Sequence, residues 1–116
     1  MEYDLISDHR RVASMIAESV LSGLGGFVYD KRLVDDGVVR DVVSSTGISG
    51  MLRRWEQDNI VVYYIDVKRL ESLCLYSECN EAKVRRVCLN KCVIDKFKEV
   101  SSKIINSIRE AYSVEV

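Results

Sequence analysis

Asp36-Gly37-Val38-Val39-Arg40-Asp41-Val42-Val43-Ser44-Ser45-Thr46-Gly47-Ile48-Ser49-Gly50-Met51-Leu52-Arg53-Arg54-Trp55-Glu56-Gln57-Asp58-Asn59-Ile60-Val61-Val62-Tyr63-Tyr64-Ile65-Asp66 is the stretch on which the fold turns. Val38, Val39, Val42 and Val43 recur at helical steps, and this periodicity outweighs the modest helix propensity of valine. Gly47 breaks that helix, and Ser49 can open another. In the second helix Ile48, Leu52 and Trp55 point the same way, toward the first, and it ends near Asp58-Asn59. Ser49, Gly50, Arg53 and Arg54 are left on its exposed side. Ile60 to Ile65, rich in β-branched and aromatic residues, predicts a strand.

A short helix, a glycine turn and a second helix opened by a serine follow the sequence logic of a helix-turn-helix. Thr46-Gly47-Ile48-Ser49 followed by Leu52-Arg53-Arg54-Trp55-Glu56 resembles the recognition segment of MerR-like and related recombinase DNA-binding domains. Tyr64-Ile65-Asp66-Val67-Lys68-Arg69-Leu70-Glu71-Ser72-Leu73 is similar to the helix after the wing in that group. Here the basic wing is absent or shrunk to the strand at 60–65, and an extra helix precedes the motif, so a generic winged helix suits these elements as well. The resemblance implies double-stranded DNA as partner. Ser49, Gly50, Arg53 and Arg54 would face the major groove, with Arg40, Lys68 and Arg69 near backbone phosphates. The plainer alternative makes Arg53 and Arg54 the solvated face of a helix whose other face is core.

Outward from this stretch, Ser7 or Asp8 can cap a helix carrying Val12, Met15, Ile16, Val20 and Leu24 on one face, stopped by Gly25-Gly26. Phe27-Val28-Tyr29 predicts a short extended segment. Leu70, Leu73 and Cys74 resume a helical period after the strand. From Cys88 to Tyr112 a stripe of Ile94, Phe97, Val100, Ile104, Ile108 and Ala111 predicts a long helix. The expected fold is therefore mainly α with a small β component: a winged-helix-like domain plus a long C-terminal helix. Residues 1–66 form the winged-helix-like region and 67–116 a helical hairpin tail, within one compact domain. The C-terminal stripe either packs on the first helix or forms a homodimer seam over 94–112.

Four cysteines fall between positions 74 and 92, spaced Cys74-x4-Cys79-x8-Cys88-x3-Cys92. That spacing fits neither structural zinc nor iron–sulfur patterns, and no metal or other cofactor is expected. If 68–79 and 88–113 are antiparallel helices, Cys79 faces Cys88 and Cys74 faces Cys92, so two nested disulfides would staple the hairpin. Buried free thiols and an atypical metal site are the alternatives. Disulfides in a cytosolic chain would imply a thermophilic source.

The chain has 116 residues, 47% apolar and 30% charged, which suits one folded domain. Its longest apolar run, Ile60 to Ile65, is far too short for a membrane span. The polar opening Met1-Glu2-Tyr3-Asp4 carries no export-signal pattern, so a cytoplasmic location is expected. A single histidine, His9, and the absence of phosphate-loop or nucleophile motifs argue against an enzyme. The net charge of −1 requires any DNA-binding surface to be a local basic face. A small DNA-binding transcriptional regulator is the expected function. A self-associating protein-interaction or assembly subunit without DNA binding is the alternative.

Overall fold

The computed structural model describes residues 4–114; the polar opening at Met1, Glu2 and Tyr3 lies outside the described residues except for Asp4. Three aspartates start the first three helices by accepting backbone N–H groups that would otherwise be orphaned. Asp8 caps α1 (His9–Leu21) through Arg11 N, and Asp35 caps α2 (Asp36–Ser45) through Gly37 N and Val38 N. Asp66 caps α3 (Val67–Ser77) through Arg69 N. The long α4 (Arg85–Tyr112) starts at Val84 with no side-chain cap.

Three strands, β1 (Gly26–Asp30), β2 (Arg53–Gln57) and β3 (Ile60–Tyr64), form an antiparallel sheet in the order β1-β3-β2. The register runs from Gly26↔Tyr64 to Asp30↔Ile60 on one side of β3 and from Arg53↔Tyr64 to Gln57↔Ile60 on the other. Mainly α, with a small sheet and a long last helix, is thus the observed class. The helix at 9–21, the extended segment at 26–30, the helix at 36–45 and the strand at 60–64 succeed one another in the order expected.

One element of that order changes. The second helix of the expected motif, 49–58, does not form: Ile48–Met51 makes a single 3-10 turn, and Arg53–Gln57 is strand β2. Asp58-Asn59 is the two-residue turn of a hairpin, with Asp58 in the left-handed region (φ 54°), which aspartate tolerates. Leu-Arg-Arg-Trp-Glu-Gln has good local helix propensity. Backbone pairing along the free edge of β3 overrides it, because a lone two-stranded β1–β3 ribbon is marginal and a third strand completes the sheet. The first helix also stops earlier than Gly25-Gly26: Ser22 closes it, Gly23 turns left-handed (φ 84°), and Gly26 already belongs to β1.

Alternation along the strands gives the sheet two unlike faces. Phe27, Tyr29, Val61 and Tyr63 are buried, with the Phe27 and Tyr63 rings stacked at 4.8 Å. They join Val12, Ile16 and Val20 of α1, Val39 and Val42 of α2, and Ile104 and Ile108 of α4 in one core. From Phe97 onward the α4 stripe is therefore used inside the chain, against the core that includes α1, and a homodimer seam over all of 94–112 does not fit.

The α3–α4 hairpin forms as expected, and both nested disulfides are present: Cys74–Cys92 with Cα atoms 5.9 Å apart, and Cys79–Cys88 at 5.7 Å. This takes up all four thiols, so neither free thiols nor a cysteine metal site remains. Among the described residues, no helix is long and apolar enough to cross a membrane.

Candidate nucleic-acid interface

Because 53–57 is a strand, the arginines expected side by side on one helix face separate onto opposite faces of the sheet. Arg54 lies on the core side with Tyr63, its guanidinium 5.9 Å from that ring, and pairs with Asp36 at 3.1 Å and Glu56 at 3.4 Å. Arg40 joins the same carboxylate from α2, 2.9 Å from Asp36. The Tyr29 hydroxyl also donates to Asp36. Both arginines pair with this one acid; Arg54 is thereby largely buried rather than an exposed reading group, whereas Arg40, expected near phosphates, keeps more than half of its side chain exposed.

The electrostatics of this cluster follow from its partners. Burial pushes the Asp36 carboxyl up, but donation from Tyr29, Arg40 and Arg54 outweighs it and holds the group down at about 2, from 3.8. Burial raises the Tyr29 hydroxyl well above its ordinary value, and its bond to Asp36 adds to the rise. With a folded-state value below the unfolded one, Asp36 contributes stability above about pH 4 that is lost as pH falls toward 2. The side chain is about one-fifth exposed, so solvent screening reduces the contribution to about 1–2 kcal/mol. In urea titrations, Asp36→Asn should lower stability by that amount at pH 7 and by almost nothing at pH 2. An equal loss at both pH values would refute an ionic role for Asp36.

The remaining candidates do come together. Ser49 and Gly50 are exposed on the 3-10 turn, and a Cβ added at Gly50 would meet nothing within 4 Å. Gly50, Arg53 and Arg69 line one cleft with Met51, Leu52 and Asp66, and Lys68 is exposed beside them at the start of α3. The Arg53 guanidinium pairs with the Asp66 carboxylate. Asp66 accepts Arg69 N as the helix cap, which lowers its pKa first, with Arg53 assisting. The edge thus carries three cations against one carboxylate, around an open turn.

Trp55 is not the helix-packing residue expected. It is 48% exposed on the outer sheet face, opposite Val62 and next but one to Arg53, and Arg53 itself is paired in register with Tyr64, 39% exposed. Trp55 and Tyr64 thus add exposed aromatic surface beside Arg53 on the outer sheet face. Sequence reasoning missed both. The signal that could have found them was Asp58-Asn59 between Arg53-x-Trp55-x-Gln57 and Ile60-x-Val62-x-Tyr64, a hairpin pattern hidden under helix-forming residues. No family model, curated protein or solved structure matches the chain.

Proposed function

We propose that the protein is a small non-enzymatic regulator that binds double-stranded DNA through the edge formed by Ser49, Gly50, Arg53, Lys68 and Arg69. The observation that carries this reading is the convergence of Gly50, Arg53 and Arg69 on one cleft, flanked by the exposed Lys68. The DNA-facing groups come from a turn, a strand and a helix start rather than from an inserted helix. That arrangement suits phosphate binding more than base reading, so modest sequence discrimination is expected. Arg54 drops out of the DNA-facing set because it is largely buried against Asp36, and Arg40, on α2 beside the same acid, lines no part of the cleft.

Mobility-shift titrations on mixed duplex DNA across a salt series test this. The native chain should bind with strong salt dependence. Arg53→Ala/Arg69→Ala should weaken binding about tenfold or more and flatten the log–log salt slope by roughly 2, one for each phosphate left without its arginine. Arg40→Ala should leave binding unchanged. A folded native chain that fails to shift DNA at low salt would overturn the reading, as would a double variant that binds like the native chain.

The alternative, an interaction or assembly subunit without DNA binding, has its own support. Leu73, Tyr76, Val87 and Ile94 on the α3–α4 hairpin are all more than half exposed, an unusual amount of apolar surface for two helices.

A further inference from the structure

The outer part of the α3–α4 hairpin has almost no core of its own. Its buried residues are Cys74, Cys79 and Cys92, packed by Ala82, Cys88, Leu89 and Val93, and of these Val93 also packs against the main core. One face is a shallow groove whose floor and walls are Val67, Leu89, Val93 and Ile94, and whose polar residues are Glu71, Asn90 and Arg86. Along α4 the apolar stripe that is buried at Ile104 and Ile108 continues upward through Ile94 (53% exposed) and Val87 (65% exposed). Over those last two turns the stripe stays more than half exposed.

The placement of the three polar residues is informative. The Cys74–Cys92 bridge sets the level of the antiparallel helices. At about 1.5 Å per residue, Glu71 lies about 4.5 Å from that level toward the start of α3, and Arg86 lies about 9 Å from it in the opposite direction. Asn90, about 3 Å from the bridge on the Arg86 side, falls within about 1 Å of the midpoint between them. The groove therefore has an acid at one end, a base at the other and an amide at its centre. Among the described residues, neither Glu71 nor Arg86 has an ion-pair partner.

We infer that this hairpin face is a two-fold homodimer seam, its occupant a second copy of the same chain. An isologous interface must be self-complementary, each patch meeting itself reversed about the axis. A two-fold axis crossing the hairpin at the level of Asn90 sets Glu71 of each copy against Arg86 of the other. The two Asn90 amides then meet near the axis, where a group that both donates and accepts can pair with its own copy. Val67, Leu89, Val93 and Ile94 are covered in the same step, and the charges at the ends fix the register. The disulfides have a role in this: they hold two short helix ends rigid enough to present a binding face.

The seam shares no residue with the cationic edge at Ser49, Gly50, Arg53, Lys68 and Arg69, so the two inferences stand or fall separately. Sedimentation equilibrium on the oxidised full-length chain, without nucleic acid, is the test. The native chain should be a dimer. Glu71→Arg and Arg86→Glu should each raise the dimer dissociation constant about tenfold or more, and Glu71→Arg/Arg86→Glu should return it to within about threefold of native. Ile94→Asp, at an exposed position, should give a folded monomer with unchanged circular dichroism. A monomeric native chain would overturn the seam. So would a dimer indifferent to both charge reversals, or a double reversal no better than the singles. A monomeric native chain that still shifts duplex DNA would remove the seam and leave the DNA reading intact.

Discussion

Reduction of both disulfides should release the outer half of the α3–α4 hairpin while the rest of the molecule stays folded. The start of α4 is weak on every local count. Val84 supplies no cap, the first turn holds no acid, and Arg85 and Arg86 place positive charge at the positive end of the helix dipole. Beneath it lies only the small cysteine cluster. Closing a loop of 18 residues removes unfolded-state entropy worth about 3 kcal/mol, and the inner bridge, spanning 9, adds less because it lies inside the first. A total near 4 kcal/mol is large for a segment with so small a core. By contrast Ile104, Ile105 and Ile108, further along the same helix, sit in the main core. Amide hydrogen exchange should therefore show protection at 85–94 falling by about a hundredfold or more on reduction, with Val12 to Val20 of α1 nearly unchanged. Uniform loss of protection would show that the hairpin and core unfold as one unit. Unchanged protection at 85–94 would mean that the bridges contribute nothing.

Gly26→Ala should be the most damaging single methyl in the protein. A Cβ at Gly26 would lie 1.9 Å from the Tyr63 carbonyl oxygen and 2.8 Å from the Tyr64 Cα. Both are backbone atoms of the central strand, so no side chain can swing aside. Relief requires β1 to draw away from β3, which loosens the register at Gly26↔Tyr64 and the stacked Phe27 and Tyr63 rings. The expected cost is about 3 kcal/mol, at the upper end for overpacking because the obstacle is rigid. Urea unfolding measures it, with Gly50→Ala as the control. Gly50 has open space and an ordinary backbone, so alanine there should shift stability by less than about 0.5 kcal/mol. Equal midpoints for the two variants would show that the sheet yields at Gly26.

The candidate site was only partly legible in the sequence. Exposure of Ser49, Gly50 and Arg53 was readable, and so were Lys68 and Arg69 at a helix start, because charge and turn residues rarely go inside. The fate of Arg54 was not. On a helix it adjoins Arg53 on the same side, whereas on a strand it turns through the sheet to Asp36, 18 positions earlier. Nothing within a few residues of Arg54 reveals that carboxylate. Trp55 was misplaced for the same reason, since a helical period sends it inward and a strand period sends it out.

By itself the sequence determined the elements whose stabilising interactions are local or repeat with a clear period. The cap at Asp8, the valine face of α2, the apolar stripe of α4 and the β-branched run of β3 all belong here. The nested cysteine pairing also followed, once two antiparallel helices were granted. Tertiary structure alone decided the state of residues 52–57, where helix-forming side chains lie along an unpaired strand edge. There the hydrogen bonds offered by β3 are long-range, so no window of local propensity contains them. It also decided how far the α4 stripe is used at home. Periodicity marks an apolar face but not where the core beneath it ends, and here that core stops short of Ile94 and Val87.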